Sequence, residues 1–264
     1  MRTAGKNARQ IGSFMIEASN KFGVFKPEPE QDVRRIDIAS SQIIDRMRQA
    51  WGECKVIEGD SGTVDYIGML ERFRGIGHSA KDIETFSIVL AGFQGEKSFP
   101  VKAGSFLSTL INSCDDTEFI IHTAHLTEPV DVLGYRNTKS IIVHGDAGAH
   151  LGDGMQGGTI RVDGNADYAV GYSMEGGIIT IEKDVRDGAG MEMKGGTIIV
   201  ECNSRNFAGY EMRGGTVRVE GNAGVQNGHD MTGGEIFFDG SIGSIAETFK
   251  GGKIFHKGVL IVDK

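Results

Sequence analysis

The stretch MQGGTIRVDG, Met155–Gly164, returns nineteen residues later as MEGGIITIEK, and then as MKGGTIIVEC, MRGGTVRVEG and MTGGEIFFDG. Its Gly pair falls at Gly157-Gly158, Gly176-Gly177, Gly195-Gly196, Gly214-Gly215, Gly233-Gly234 and, one residue early, Gly251-Gly252. Two residues before each pair stands Met155, Met174, Met193, Met212 or Met231, and then Phe249. Three after it stands Ile160, Ile179, Ile198, Val217, Ile236 or Ile254, and five after it Val162, Ile181, Val200, Val219 or Phe238, with His256 breaking the column. A weaker copy, NTKSIIVHG at Asn137–Gly145, sets Ile141 and Val143 in the same register and makes seven. Apolar residues two apart share one face of a strand. A repeat this short cannot bury that face alone and must stack on its neighbours. The expected architecture is therefore mainly β: a parallel β-helix of about seven 19-residue coils over 133–264. At roughly 4.8 Å per coil its length is about 30 Å.

Composition supports this reading. The 264 residues contain 40 Gly but only 4 Pro, and Pro27, Pro29, Pro100 and Pro129 all lie before the repeats. Glycine suits corners, whereas proline would remove an N–H that a sheet needs. No GxxxxGK[ST] phosphate loop and no nine-residue calcium repeat occurs. A formal net charge of −8 and the absence of a long apolar run argue against nucleic-acid and membrane partners and for a cytoplasmic protein. Cys54, Cys114 and Cys202 are scattered, which fits reduced thiols.

Before the repeats the chain divides into an N-terminal arm, 1–30, and a small α/β cap region, 31–132. Asp37–Trp51 has helical spacing at Ile38, Ile43, Ile44, Met47 and Trp51, with Gly52 as its stop. Thr85–Phe93 (TFSIVLAGF) is strand-like, Ala103–Ser113 is a short helix, and Thr117–Thr123 is another strand or part of an irregular first coil. Such a cap would cover the open end of the first coil.

Chemistry is sparsely signalled. Of seven histidines only His122 and His125 form a close pair, and no third ligand follows at metal-binding spacing. No nucleophile or metalloprotease signature occurs. Constant coil length leaves no long loops to wall a substrate groove. Catalytic, cofactor-binding and metal residues are accordingly none. The outward positions carry more information. Four residues after the first Gly stand Arg161, Thr180, Ile199, Arg218, Phe237 and Phe255; six after it stand Asp163, Glu182, Glu201, Glu220, Asp239 and Lys257. The second column is either a solubilising face or a strip for a basic partner. Ile178, Ile199, Phe237 and Phe255 form a sparse apolar stripe where polar residues are expected, and are the candidate partner interface.

The phrases GNADYAVGYSMEGGIITI, GMEMKGGTIIV and AGYEMRGGTVRVEGNAG resemble the GXGXG superfamily over about 133–258. They are similar to the repeats of the formylmethanofuran dehydrogenase C-subunit family and to the C-terminal domain of the glutamate synthase large chain. That resemblance implies a right-handed β-helix that binds no cofactor itself and acts as a scaffold beside catalytic protein subunits. In the first family the partners are a metal-dependent hydrolase and a molybdenum or tungsten subunit, so molybdopterin, Fe–S and Zn would sit on the partners. In the second they are an amidotransferase domain and an FMN barrel. The near-constant period is more like the dehydrogenase family. Three expectations stand: a non-catalytic subunit of an oxidoreductase complex of the formylmethanofuran dehydrogenase or formyltransferase/hydrolase kind in C1 metabolism, a stand-alone β-helix subunit of a glutamate-synthase-like complex, and an independent enzyme.

Overall fold

The computed structural model describes residues 38–55, 66–73 and 77–264, so the expected arm at 1–30 lies outside the described residues. From Ala39 onward the chain forms one compact unit. Helices α1 (Ile38–Glu53), α2 (Tyr66–Phe73), α3 (Ala80–Val89) and α4 (Phe99–Ser113) come first, with a 3-10 turn at Leu90–Phe93. The strands follow: β1 (Glu118–His122), β2 (Ser140–His144), β3 (Thr159–Val162), β4 (Ile178–Ile181), β5 (Val185–Asp187), β6 (Thr197–Val200), β7 (Ser204–Asn206), β8 (Thr216–Val219), β9 (Thr232–Phe238), β10 (Gly251–His256) and β11 (Val259–Asp263).

The main sheet runs β1-β2-β3-β4-β6-β8-β9-β10-β11. Every neighbour pair from β1 to β10 is parallel, and β11 returns antiparallel. A second parallel ladder runs continuously through Ala147, Ala166, Val185, Ser204, Ala223 and Ile242. This is a parallel β-solenoid of about seven turns with N-terminal helices, as the repeat predicts. Ile160, Ile179, Ile198, Val217, Ile236 and Ile254 stack in register and are buried, as are Val162, Ile181, Val200, Val219 and Phe238.

The Met and Gly positions are one device. The second Gly of each pair lies at positive φ, for example +88° at Gly196. A Cβ there would stand 2.7 Å from the Cε of Met174, in the preceding coil. The relation repeats at Gly177 with Met155, Gly215 with Met193, Gly234 with Met212 and Gly252 with Met231. Each glycine is thus the socket for the methionine tip one coil earlier, and all five methionines are fully buried. A second set of sockets, Gly152, Gly171 and Gly209, receives the Cδ1 of Ile179, Ile198 and Ile236. The repeated phrase keys each coil to its neighbours.

A polar ladder runs along another corner. Asp146, Asn165, Asp184, Asn203 and Asn222 each accept, through a side-chain oxygen, the backbone N–H of the residue nineteen later. Satisfying these corner N–H groups removes a desolvation cost that would recur on every coil.

The helical region centres on Trp51, which stacks on Phe93 at 4.8 Å and meets Phe106 edge-on at 5.3 Å. Helix α1 follows the expected face, burying Ile44, Met47 and Trp51, but it passes through Gly52 to Glu53. The strand expected at Thr85–Phe93 is instead α3 and the 3-10 turn. Ser79 and Asp82 form a reciprocal capping box, and Ile83, Phe86 and Leu90 occupy one helical face and are fully buried. Local β preference in FSIVL loses to the cap and to tertiary packing. The helix expected at Ala103–Ser113 starts earlier, at Phe99, with Pro100 in its first turn, where its missing N–H costs nothing. Strand β1 matches the Thr117–Thr123 reading and is a rung of the solenoid sheet, paired with β2. Helix α3 covers its free edge: the His122 N–H donates to Ser87 Oγ at 3.0 Å.

Candidate functional site

The outward face of the main sheet carries the candidate interface. Strand pairing places Ile120, Ile142, Arg161, Thr180, Ile199, Arg218, Phe237 and Phe255 in one continuous column, and Leu260 of β11 continues it. Alternation with the buried columns turns all of them away from the core. Ile178 sits in the adjoining outward column and is 44% exposed. The exposed isoleucines gather at the first coils. There Ile120, Ile142, Ile178, Arg161 and Thr180 line a shallow hollow of about 590 Å³.

Of the four expected interface residues, Ile178 is open, whereas Ile199, Phe237 and Phe255 are half-buried. Phe237 and Phe255 stack face to face, 4.5 Å between centroids and 6° between planes, so each ring shields the other. The four do not form one patch: Ile178 belongs to the early hollow and the Phe pair to the last coils. Ile120, Ile142 and Leu260 join the face without having been expected there. Ile142 could have been found, since it occupies the outward position of the weaker first copy.

The acidic column is largely neutralised. Arg161 donates to Glu182 at 2.8 Å, Arg218 donates to Asp239 of the next coil, and His144 contacts Asp163 at 2.8 Å. Arg218 also lies 3.8 Å from Glu220. These diagonal pairs relieve the like-charge repulsion that five stacked carboxylates would otherwise suffer. Glu201, beside Ile199 rather than an arginine, is exposed and makes no ion pair among the described residues.

A second polar cluster lies where the helices meet the first coils. The His122 and His144 rings stack at 5.4 Å; Glu84 contacts His122 at 3.3 Å and Asp163 contacts His144. The hydrogen bond from His144, together with the Gly145 N–H, holds the Asp163 carboxyl below its ordinary range. A hollow of about 590 Å³ beside it is lined by Thr123, His144, Asp146, Asp163 and Lys183. His125 turns elsewhere, its Nε2 3.1 Å from the Ile88 carbonyl, so the His122/His125 pair does not converge. No cluster of three metal-type ligands occurs among the described residues. Among the described residues no serine, threonine or cysteine side chain hydrogen-bonds to the His144 ring.

On the turn face, burial pushes the Asp153 carboxyl up to about 6; nearby Arg136 opposes this and Glu192 adds to it. The folded value exceeds the ordinary 3.8, so the folded chain keeps a proton that the unfolded chain releases. Stability is therefore intact below pH ~4, falls between ~4 and ~6, and stays lowered above that. Asp153→Asn should raise the stability at pH ~7.5 by about 1–3 kcal/mol and change little near pH ~3.5. Urea midpoints at the two pH values check this; an equal effect at both would remove the carboxyl as its source.

Among the described residues no helix is long and apolar enough to cross a membrane. No family model matches the chain, and no curated protein matches it.

Proposed function

We propose that the chain is a non-catalytic scaffold subunit of an oxidoreductase complex similar to formylmethanofuran dehydrogenase or the formyltransferase/hydrolase complex. Its outward sheet face would dock the catalytic subunits, and these, not this chain, would carry molybdopterin, Fe–S or Zn. The observation that carries the reading is the outward column. Coils of constant length present aliphatic and aromatic side chains on a rigid sheet, where a solvated solenoid would present polar ones. The two hollows beside the first coils are open to solvent, which suits protein docking better than substrate enclosure. The glutamate-synthase-like reading shares this face and differs in its partner, an FMN-carrying chain.

Phe237→Arg tests the docking face. The position is outward, and its column already holds Arg161 and Arg218. The melting temperature of the isolated subunit should fall only modestly, by the loss of the Phe237–Phe255 stack, worth about 0.5–1.5 kcal/mol. Catalytic subunits co-purifying with the tagged chain from its own host should be lost, with molybdenum or tungsten analysis and flavin fluorescence of the wild-type eluate telling the two complexes apart. If the isolated chain unfolds, Phe237 is core. If assembly is unchanged, docking uses another face.

A further inference from the structure

The hollow over the first coils combines an apolar floor with carboxylates that nothing on the chain neutralises. Ile120, Ile142 and Ile178 are 36%, 42% and 44% exposed and share it with Arg161, Thr180 and Glu118. The nearby cations are committed elsewhere. Arg161 is tied to Glu182, and Lys139, which precedes the rung partner of Glu118, donates to the carbonyls of Cys114 and Asp116. Lys183 lines the neighbouring hollow. Glu118 is exposed and makes no ion pair among the described residues. Glu201, at the opposite corner, is left in the same state for a reason that the register supplies. An arginine of the outward column reaches the carboxylate 21 residues later, as Arg161 reaches Glu182 and Arg218 reaches Asp239. The equivalent place for Glu201 is held by Thr180.

We infer that this hollow docks an amphipathic helix of a partner protein, one with an apolar stripe and a lysine or arginine near each end. The inference rests on the docking role proposed above and names the element that fills this part of the face. Charge selects the ends of the occupant. A cation at each end meets Glu118 and Glu201, whereas an anionic lipid surface or a nucleic acid would bring the wrong sign to both. The apolar floor selects its middle, since an interface core excludes charge. Backbone chemistry selects a helix. The N–H and C=O groups of β1–β4 are used in the ladder along the sheet. An extended segment laid on that face would bury its own backbone groups unpaired, but a helix satisfies its own. Size agrees with this. The rung partner of Glu118 in β6, followed strand by strand, is Thr197, four residues before Glu201. Four rungs at ~4.8 Å and four residues at ~3.3 Å put the two carboxylates ~23 Å apart. A helix spans that distance in about 15 residues, or about four turns.

The probe is a fluorescent amphipathic peptide of about 18 residues, with leucines in one stripe at i, i+3, i+4, i+7 spacing and lysines at both ends. A matched peptide carries glutamates at its ends instead. Anisotropy with the purified full chain should show the lysine-ended peptide binding at least about tenfold more tightly, with the preference shrinking as salt is raised. Glu118→Lys together with Glu201→Lys should invert the preference. Ile142→Arg should abolish binding of both peptides while circular dichroism shows an intact fold. No binding, no preference between the peptides, or a preference that survives the double charge reversal overturns the inference. So does a dimer in sedimentation that Ile142→Arg dissolves, because a second copy would then be the occupant. The scaffold reading fails differently. There, no molybdenum, tungsten or flavin accompanies the wild-type chain from its host, whatever the peptides do. If such subunits do accompany it and remain bound to both the Ile142→Arg chain and the charge-reversed chain, the scaffold reading stands and this hollow is not the docking site.

Discussion

Met193→Ala should destabilise the chain by about 2–5 kcal/mol, the range for removing a large buried side chain without collapse of the site. Met193 is fully buried in the central coil. Its Cε fills the space that Gly215 leaves open one coil later, and its Sδ stands near Gly190 in its own coil. Truncation therefore empties a socket whose walls are backbone. Backbone held by the hydrogen bonds of Arg213 and Gly214 to the Met193 carbonyl cannot move in to fill it. Met193→Leu should recover only part of the loss: Leu has similar volume, yet its branched end is too short to reach Gly215. The measurement is the urea midpoint of each variant at one pH. A Met193→Ala midpoint equal to wild type would mean that the sockets contribute shape and no free energy, and that something other than the methionine tips keys the coils together.

The solenoid was legible because its signal is redundant. Each rung must match the rung beneath it, so the columns of Met193, Gly196, Ile198 and Val200 recur every nineteen residues, with one step of eighteen before the last copy. What the columns do was less legible. The Met and Gly columns are separated by three residues in sequence, but they meet across coils at a separation of twenty-two, as between Met174 and Gly196. The Asp146–Asn165–Asp184–Asn203–Asn222 ladder also keeps the period, but it mixes two residue types that share only a side-chain oxygen, and identity alone does not reveal it. The place of β1 in the stack was hidden for another reason: Ile121 pairs with Val143 at a separation of 22, because the Thr123–Arg136 segment lengthens that coil and breaks the count. The helical region has no repeat to average over local ambiguity. There the Ser79–Asp82 cap and the aromatic cluster around Trp51 decided between helix and strand for Phe86–Leu90. At the candidate interface, parity predicted direction correctly for Phe237 and Phe255. It could not predict that the two rings stack and cover one another, because that depends on two coils at once.

Gly104→Ala should lower stability by about 3 kcal/mol, the upper part of the range for forcing one extra carbon into a packed site. Helix propensity makes the opposite forecast: Ala in place of Gly inside a helix stabilises by about 1 kcal/mol. The two effects differ in sign, so the outcome decides which governs. Gly104 lies in the middle of α4 with ordinary helical φ, and a Cβ there would stand 1.8 Å from the Asp131 carbonyl oxygen and 2.8 Å from the Leu133 nitrogen. These are backbone atoms of the segment that leads into the first repeat, and they cannot rotate away as a side chain could. The segment is itself fixed: the Asp131 N–H donates to the Pro100 carbonyl, Ser108 Oγ donates to the Val132 carbonyl and accepts the Gly134 N–H, and Asn112 Nδ2 donates to the Tyr135 carbonyl. Helix α4 is therefore keyed into the start of the solenoid by a missing side chain, with polar contacts spaced along one face. Gly52 supplies the control. It is also helical, and a Cβ built there meets nothing within 4 Å. Gly52→Ala should accordingly raise the urea midpoint slightly while Gly104→Ala lowers it. If both variants rise together, α4 packs on the coil loosely enough to yield, and the helical region is joined to the solenoid by its hydrophobic contacts alone.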